Sequence, residues 1–177
     1  MKKILIGTHN KGKFREIAYL ISKEYKKISP VSLKIKSPKE TGKTFVSNSK
    51  LKVKYFSKFV NYPVISDDSG LCIKALNNKP GIYSARWAKK YGSFYKAMKY
   101  ILKKLKNKKN RSATFVCSLS LVYNGKTISV TGKVKGKISM KILGNKGFGY
   151  DPIFIPNGYN QTFGEMEFKL KVSIDHR

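Results

Sequence analysis

Tyr62-Pro63-Val64-Ile65-Ser66-Asp67-Asp68-Ser69-Gly70 is the stretch around which the rest of the chain can be arranged. Its apolar start predicts a buried strand that leads straight into two adjacent carboxylates. Carboxylates placed side by side repel each other and resist desolvation, so they usually have a positive partner. A hard divalent cation, which prefers oxygen ligands, is one such partner. The alternative is a plain Asp-Ser-Gly turn.

Charge is the most unusual property of the composition. The chain has 177 residues, with 38 Lys and Arg against nine Asp and Glu, and a net charge of +29. Such a charge predicts attraction to polyanions. Only four of the basic residues are arginine, whose planar fork suits base and phosphate recognition: Arg15, Arg86, Arg111 and Arg177. Two interpretations therefore remain open, a lysine-rich solvated surface or a nucleic-acid-binding surface.

Composition also excludes several classes of protein. A hydrophobic content of 41% is enough for a core and too high for a disordered chain. The length suits one domain or two small lobes. No run approaches the roughly 20 apolar residues that span a membrane. Cys72 and Cys117 lack metal-type spacing, so we expect two reduced thiols and a cytoplasmic location.

The N-terminal region predicts a strand, a polar loop and a helix. Lys3–Gly7 is apolar, and helical spacing of apolar residues predicts a helix from about Gly12 to Lys23. The loop Thr8-His9-Asn10-Lys11-Gly12-Lys13 lies between them. This arrangement directs backbone N–H groups at an anion, to which Lys11 and Lys13 add charge. Phosphate binding and an ordinary strand-to-helix turn both fit.

Further elements follow from periodicity and turn signals. We expect a second strand at Val31–Ile35, a helix Phe45–Phe59 capped by Thr44, a helix Phe94–Leu105, and a hairpin of 113–123 and 127–134 around Asn124-Gly125. In the helix that follows Thr44, apolar spacing predicts a core-facing side and a side where most lysines are outside; the simplest interpretation of Asn48 is a solvated first-turn residue. The residues of the core-facing side are Phe45, Leu51, Tyr55 and Phe59. The residues of the lysine-rich side are Lys50, Lys52, Lys54 and Lys58.

Six motifs together resemble the inosine triphosphate pyrophosphatase family, in the family's order and over almost the whole chain. They are Thr8-His9-Asn10-Lys11-Gly12-Lys13, Thr41-Gly42-Lys43-Thr44-Phe45-Val46-Ser47-Asn48, Asp67-Asp68-Ser69-Gly70-Leu71, Pro80-Gly81-Ile82-Tyr83-Ser84-Ala85-Arg86, Gly147-Phe148-Gly149-Tyr150-Asp151-Pro152, and Lys171 with His176-Arg177. The resemblance implies hydrolysis of dITP, ITP and XTP to the monophosphate and pyrophosphate. It implies an α/β fold: a long mixed β-sheet flanked by helices, with a nucleotide cleft between two lobes of a single domain spanning 1–177.

The resemblance also implies roles for individual residues. Asp68 would bind Mg²⁺ and activate water, with Asp67 in support. The loop Thr8 to Lys13, including His9, Asn10, Lys11 and Gly12, would hold the triphosphate, and Ser69 would contact substrate. Phe148 would stack on the base within a loop that includes Gly149, Tyr150 and Asp151. Lys171, His176 and Arg177 would read the base edge. The family is typically dimeric, so the resemblance implies a homodimer.

Two departures from the family pattern stand out. Ser47 occupies the position of the family's second metal ligand, a glutamate, so either Mg²⁺ binds more weakly, water or Glu40 fills in, or activity is reduced. The chain stops at His176-Arg177, where the family usually continues into a C-terminal helix, so we expect that helix to be missing here. We expect a terminal segment to fray easily, which weakens a base-reading role there. The rival hypothesis is a weakly active or inactive member that binds nucleic acid through its charge.

Overall fold

A computed structural model describes all 177 residues as a mixed α/β fold. The strands are β1 (Lys2–Ile6), β2 (Tyr25–Ile28), β3 (Val64–Ile73), β4 (Lys79–Pro80), β5 (Ser112–Tyr123), β6 (Lys126–Ile138) and β7 (Phe154–Pro156). The helices are α1 (Lys11–Leu20), α2 (Phe45–Phe56), α3 (Ser84–Tyr91), α4 (Phe94–Lys104) and α5 (Phe168–Ile174). None of the helices combines the length and apolar character that crossing a bilayer requires. The predicted α/β class is confirmed.

The strands form one mixed sheet in the order β2-β1-β3-β5-β6-β7, with β4 added beside β3. β1 pairs in parallel with β2 and with β3, and Leu5 and Ile6 lie opposite Val64 and Ile65. The predicted hairpin is confirmed: β5 and β6 are joined by Asn124 and Gly125, both with positive φ. This conformation is the one that an Asn-Gly turn favours.

The acidic pair lies within a strand. β3 runs without interruption from Val64 through Asp67 and Asp68 to Ile73. The alternative of an Asp-Ser-Gly turn is therefore wrong. Because successive residues of a strand point to opposite faces, the two carboxylates leave the backbone in different directions.

The chain divides into two compact units, each with its own apolar core. Unit 1 comprises Met1–Asp68, Cys117–Gly132 and Arg177, and unit 2 comprises Ser69–Val116 and Lys133–His176. Unit 1 packs around Leu5, Val53, Phe56 and Val64. The larger core of unit 2 includes Leu71, Ile73, Met98, Ile101, Phe115, Ile138, Phe154 and Phe163. The predicted nucleotide cleft stays a prediction.

Two elements differ from expectation. The predicted strand at Val31–Ile35 is wrong, because β2 lies earlier, at Tyr25–Ile28, and pairs with β1. The chain turns directly afterwards: the backbone N–H groups of Ser32 and Leu33 bond to the carbonyls of Ser29 and Pro30, and Lys34 has φ 54°. The helix predicted to reach Phe59 ends as α2 at Phe56 and continues as one 3-10 turn.

Candidate active site

Asp67 is a fully buried carboxylate that anchors two lysines in unit 1. Its Oδ2 lies 2.9 Å from Lys13 Nζ. Its backbone carbonyl accepts a 2.6 Å hydrogen bond from Lys52 Nζ. Burial opposes ionisation, but the positive charges of Lys13, Lys52 and Arg177 outweigh it and lower the pKa of Asp67 well below its usual range. Asp67 is therefore a permanent anion that fixes the cations around it.

Asp68 has the opposite electrostatic character. It is 4% exposed, and its Oδ2 accepts a 2.9 Å hydrogen bond from Asn48 Nδ2. Burial raises its pKa to about 6, and the nearby Lys13 charge offsets only part of that effect. Two neighbouring carboxylates with pKa values pushed apart mark distinct chemical roles. Asp68 is the carboxylate that can exchange a proton near neutral pH.

Lys52 and Asn48 reach this site from α2, and neither was expected there. Asn48 is fully buried rather than solvated, and Lys52 is buried rather than outside. The placement of Lys52 is wrong, and the solvated alternative for Asn48 is excluded, because the buried face of α2 supplies partners for Asp67 and Asp68. Lys52 Nζ also lies 3.3 Å from Glu40 Oε1. Burial lowers the pKa of Lys52, but the carboxylates of Asp67, Glu40 and Asp68 raise it more, so the ammonium stays charged.

The apolar face predicted for the same helix is confirmed only in part: Tyr55 packs against the core of unit 1. Val53 and Phe56 are the fully buried apolar residues of α2, whereas Phe59, predicted to face the core, is 52% exposed. The spacing of Asn48 and Lys52, four residues apart, is the one sequence signal that could have placed both on a common face.

Ser47 helps to cap the N-terminus of α2. Its Oγ donates to the carbonyl of Thr44 and accepts from the Thr44 backbone N–H, while the Ser47 N–H donates to Thr44 Oγ1. The result is a capping box at the start of α2. The Thr44 cap that was predicted is confirmed, and Ser47 has a local structural role.

Carboxylate oxygens are the donors available for a cation. No group of three or more His, Cys, Asp or Glu side chains in the chain is arranged to hold a metal. Asp68 is buried with a raised pKa, and the Glu40 charge contributes to that increase. One or two carboxylates, completed by water and phosphate oxygens, form the donor set that Mg²⁺ commonly accepts. The residues present therefore fit Mg²⁺ but do not form a cage made of protein alone.

The loop before α1 is held by its own polar residues. Thr8 is buried and its Oγ1 accepts from the Asn10 N–H at 3.2 Å. Asn10 caps α1, and its Oδ1 accepts from the Lys13 N–H at 3.0 Å. The His9 ring lies 2.9 Å from the carbonyl of Ile35 through Nε2 and 2.6 Å from Ser37 Oγ through Nδ1. Gly12 is partly exposed and Lys11 is exposed.

A second polar cluster lies in unit 2, around Asp151 and Lys171. Lys171 Nζ lies 2.5 Å from Asp151 Oδ2, which also accepts a 2.8 Å hydrogen bond from the Phe148 N–H. The same ammonium stands 4.8 Å from the centre of the Phe148 ring. Burial raises the pKa of Asp151, and the Lys171 charge opposes that increase. Gly147 has φ 73°, and a Cβ there would lie 2.2 Å from Asp151 Oδ2, so this turn requires glycine.

The remaining predicted residues of unit 2 differ in what they contact. Tyr150 is buried, and its hydroxyl donates to the Ser84 carbonyl at 2.9 Å. The His176 ring stacks on Phe115 at 4.9 Å with an interplanar angle of 7°, and Nδ1 contacts the Asp175 carboxylate. Gly149 has φ 68°. Ser69 is partly exposed within β3. Their contacts with substrate stay predictions.

Arg177 is fixed at the end of the chain. Its NH1 pairs with Glu16 Oε2 on α1, and both side chains are 3% exposed. The expectation of a frayed terminal arginine is wrong, because this ion pair and its burial hold the side chain in unit 1.

Known proteins resemble this chain over nearly its whole length. The Ham1 family model matches residues 4–177. The dITP/XTP pyrophosphatase of Caulobacter vibrioides is 40% identical, with 99% of this chain and 92% of that protein covered. The dITP/XTP pyrophosphatase of Oceanobacillus iheyensis is 42% identical, with coverage of 100% and 93%.

Solved structures agree with the sequence matches. The Staphylococcus aureus Ham1 protein superposes with a TM-score of 0.86 at 37% identity, and covers 99% of this chain and 92% of its own. A HAM1 protein from Coxiella burnetii gives a TM-score of 0.88 at 33% identity, with coverage of 100% and 93%. The family resemblance predicted from the six motifs is confirmed.

Proposed function

This chain belongs to the Ham1 family, and we propose that it hydrolyses non-canonical purine nucleoside triphosphates, dITP and XTP among them. The products are the nucleoside monophosphate and pyrophosphate. The observation that carries the proposal is the buried Asp68 carboxylate, whose pKa is raised to about 6 next to the lysine-bearing α1 loop. It occurs in a chain that matches dITP/XTP pyrophosphatases from end to end.

Asp68 serves as the proton acceptor for water in this proposal. Water attacks the α-phosphorus, the bond to the bridging oxygen breaks, and that oxygen leaves with pyrophosphate. Without a bound metal the Asp68 carboxyl group has a pKa of about 6, so it is largely ionised at pH 7 and available as an acceptor. Asn48 orients the carboxylate through Oδ2. Asp67 supports the site by holding Lys13 and Lys52 in place.

Cations and backbone donors of unit 1 would hold the triphosphate. Lys13 and Lys52 are the ammonium groups beside the acidic pair. Thr8 and Asn10 shape the loop at the N-terminus of α1, where N–H groups and the helix dipole favour an anion. His9, Lys11 and Gly12 belong to the same loop and are assigned to triphosphate binding as well.

Asp68 and Glu40 are the residues that would hold Mg²⁺. When bound, the ion offsets negative charge on the phosphate oxygens. Ser47, which occupies the position of the family's second ligand, is assigned to the helix cap instead because its hydroxyl is used there.

Base selection is assigned to the Asp151–Lys171 cluster of unit 2. The Phe148 ring would stack on the purine, within a loop that Gly149 and Tyr150 continue. Lys171 and His176 supply donors for the 6-oxo group, which accepts hydrogen bonds. Adenine presents an amine at that position, so it would leave these donors unsatisfied. Ser69 and Arg177 complete the proposed set of substrate contacts.

We also propose that the protein is a cytoplasmic homodimer. Its proposed substrates are free nucleotides of the cytoplasm, and exposed apolar side chains offer a contact surface between subunits. In unit 1 the exposed large apolar side chains include Leu20, Val31, Leu33 and Phe59. Leu33 and Phe59 also line an open cavity of about 700 Å³. Sedimentation of the wild type and of Phe59→Ser tests this: the wild type should be dimeric and the variant shifted toward monomer.

The decisive experiment measures pyrophosphate release from dITP, XTP, dATP and dGTP with Mg²⁺. We expect release from dITP and XTP, little from dATP and dGTP, and loss of activity in Asp68→Asn. Glu24→Gln, which neutralises an exposed carboxylate, is the matched control and should retain activity. A folded wild type that releases no pyrophosphate at any Mg²⁺ concentration would overturn the proposal and favour the rival polyanion-binding role.

A further inference from the structure

An aromatic cluster lines a cavity of about 590 Å³ in unit 2, on a part of the chain to which no catalytic role is assigned. Tyr91 at the end of α3 and Tyr100 on α4 stack with centroids 4.5 Å apart and an interplanar angle of 24°. Trp87 packs edge-on against both, at 6.0 and 5.6 Å. All three rings are partly exposed. We call Trp87, Tyr91 and Tyr100 the aromatic platform.

Lysines surround the aromatic platform. Lys90 Nζ stands 5.8 Å from the Tyr91 ring centre, and Lys104 Nζ stands 5.6 Å from that of Tyr100. Both line the cavity, together with Lys79. No Asp or Glu occurs between Asp68 and Asp151, so the segment that forms this cavity carries no negative side chain of its own.

The distribution of acidic residues strengthens the positive charge of the surface. Of the nine carboxylates, five have buried side chains: Glu16, Asp67, Asp68, Asp151 and Asp175. Four of them pair with buried or nearly buried cations, and Asp68 accepts a hydrogen bond from Asn48. The exposed surface therefore has few negative groups to neutralise its lysines.

We propose that the aromatic platform, with Lys79, Lys90 and Lys104, binds single-stranded nucleic acid. Aromatic faces stack on unpaired bases, and lysines follow the phosphate backbone. Lysine acts as a point charge and does not read base edges as arginine does, so we expect little sequence preference. A membrane surface fits less well, because Tyr91 and Tyr100 stack on each other within a lined cavity. The proposal is independent of the hydrolase function.

Trp87 makes the test specific, because it is the only tryptophan in the chain. The intact protein is titrated with an oligothymidylate of about 20 nucleotides, long enough to span such a site, and the quenching of Trp87 fluorescence is followed. Thymidylate is neither a purine substrate nor prone to pairing. We expect quenching, with affinity falling at least about tenfold between about 50 and about 300 mM KCl. An abasic strand of equal length should bind at least about tenfold more weakly and should not quench the Trp87 fluorescence.

Variants distinguish binding at the aromatic platform from attraction by the net charge of the protein. Lys90→Glu/Lys104→Glu should abolish quenching, whereas Lys26→Glu/Lys126→Glu, the same charge change at exposed sites in other elements, should retain it. Tyr91→Leu should weaken binding roughly tenfold and Tyr91→Phe should not. Equal binding of the abasic strand, equal quenching by phosphatidylglycerol vesicles, or equal affinity for thymidine monophosphate would each overturn the proposal. These three comparisons use the wild type, so they do not depend on the folding of any variant.

Discussion

The Arg177 guanidinium is buried against the Glu16 carboxylate, so the last residue of the chain is tied to the first helix. Removing one partner of a buried ion pair leaves an uncompensated charge in a medium that solvates it poorly. The Arg177 charge also helps to lower the pKa of Asp67. Glu16 thus positions an arginine that acts on the acidic pair, although no sequence motif assigned Glu16 a role.

Glu16→Gln should destabilise the protein by about 3 kcal/mol, because Arg177 keeps its charge and loses its partner. Urea unfolding at neutral pH measures the loss. Glu24→Gln removes an exposed carboxylate and should change the free energy of unfolding by less than about 0.5 kcal/mol. Equal stability of the two variants would show that the Glu16–Arg177 contact contributes nothing.

The raised pKa of Asp68 predicts how stability depends on pH. Well below pH 4 the carboxyl group is protonated in both the folded and the unfolded chain. As the pH rises to about 6, the unfolded chain loses this proton first, so ionisation destabilises the fold. In EDTA, the wild type should lose about 3 kcal/mol relative to Asp68→Asn across this interval. A difference between the two proteins that stays constant with pH would contradict the raised pKa.

Two substitutions should change the Mg²⁺ requirement in opposite directions. Glu40→Gln removes a proposed ligand and should raise the Mg²⁺ concentration for half-maximal turnover roughly tenfold. Ser47→Glu adds a carboxylate at the first turn of α2 and should lower it. Ser47→Gln preserves a capping-box residue without charge and is the control. An unchanged Mg²⁺ dependence in Ser47→Glu would exclude any contribution from that position.

Lys171→Met should destabilise the protein by about 3 to 5 kcal/mol, since it leaves the buried Asp151 without its ammonium partner. Lys169→Met, on the exposed face of the same helix, is the matched control and should have a small effect. The double variant Asp151→Asn/Lys171→Met should recover part of the loss. Additive effects of the two single substitutions would show that the pair is not coupled.

The sequence predicted proximity best where residues belong to short motifs, and the catalytic and binding roles of those residues stay predictions. Asp67, Asp68, Lys13 and Asn10 lie together in unit 1 as the motif order implied. Lys52 and Asn48 were placed in solvent because periodicity assigns polar residues to the outside of a helix. Only the folded chain shows that two buried carboxylates require those partners on the inner face of α2.

The error at Val31–Ile35 has a related cause. Its apolar character favoured a strand, but strand position is decided by pairing with a neighbour, and Tyr25–Ile28 takes the place beside β1. The hairpin around Asn124-Gly125 was predictable because its turn chemistry is local. Predictions from the sequence of a single turn were therefore reliable, whereas predictions of strand position, which depends on pairing with a distant segment, were not.

The register of β3 against β1 has an evolutionary consequence. Leu5 lies opposite Val64, and three residues further along β3 the two carboxylates leave the backbone on opposite sides. Inserting or deleting one residue between Val64 and Asp67 would exchange the directions of Asp67 and Asp68 and turn the apolar residues of the strand outward. We therefore expect related genes to preserve the length of this strand residue for residue.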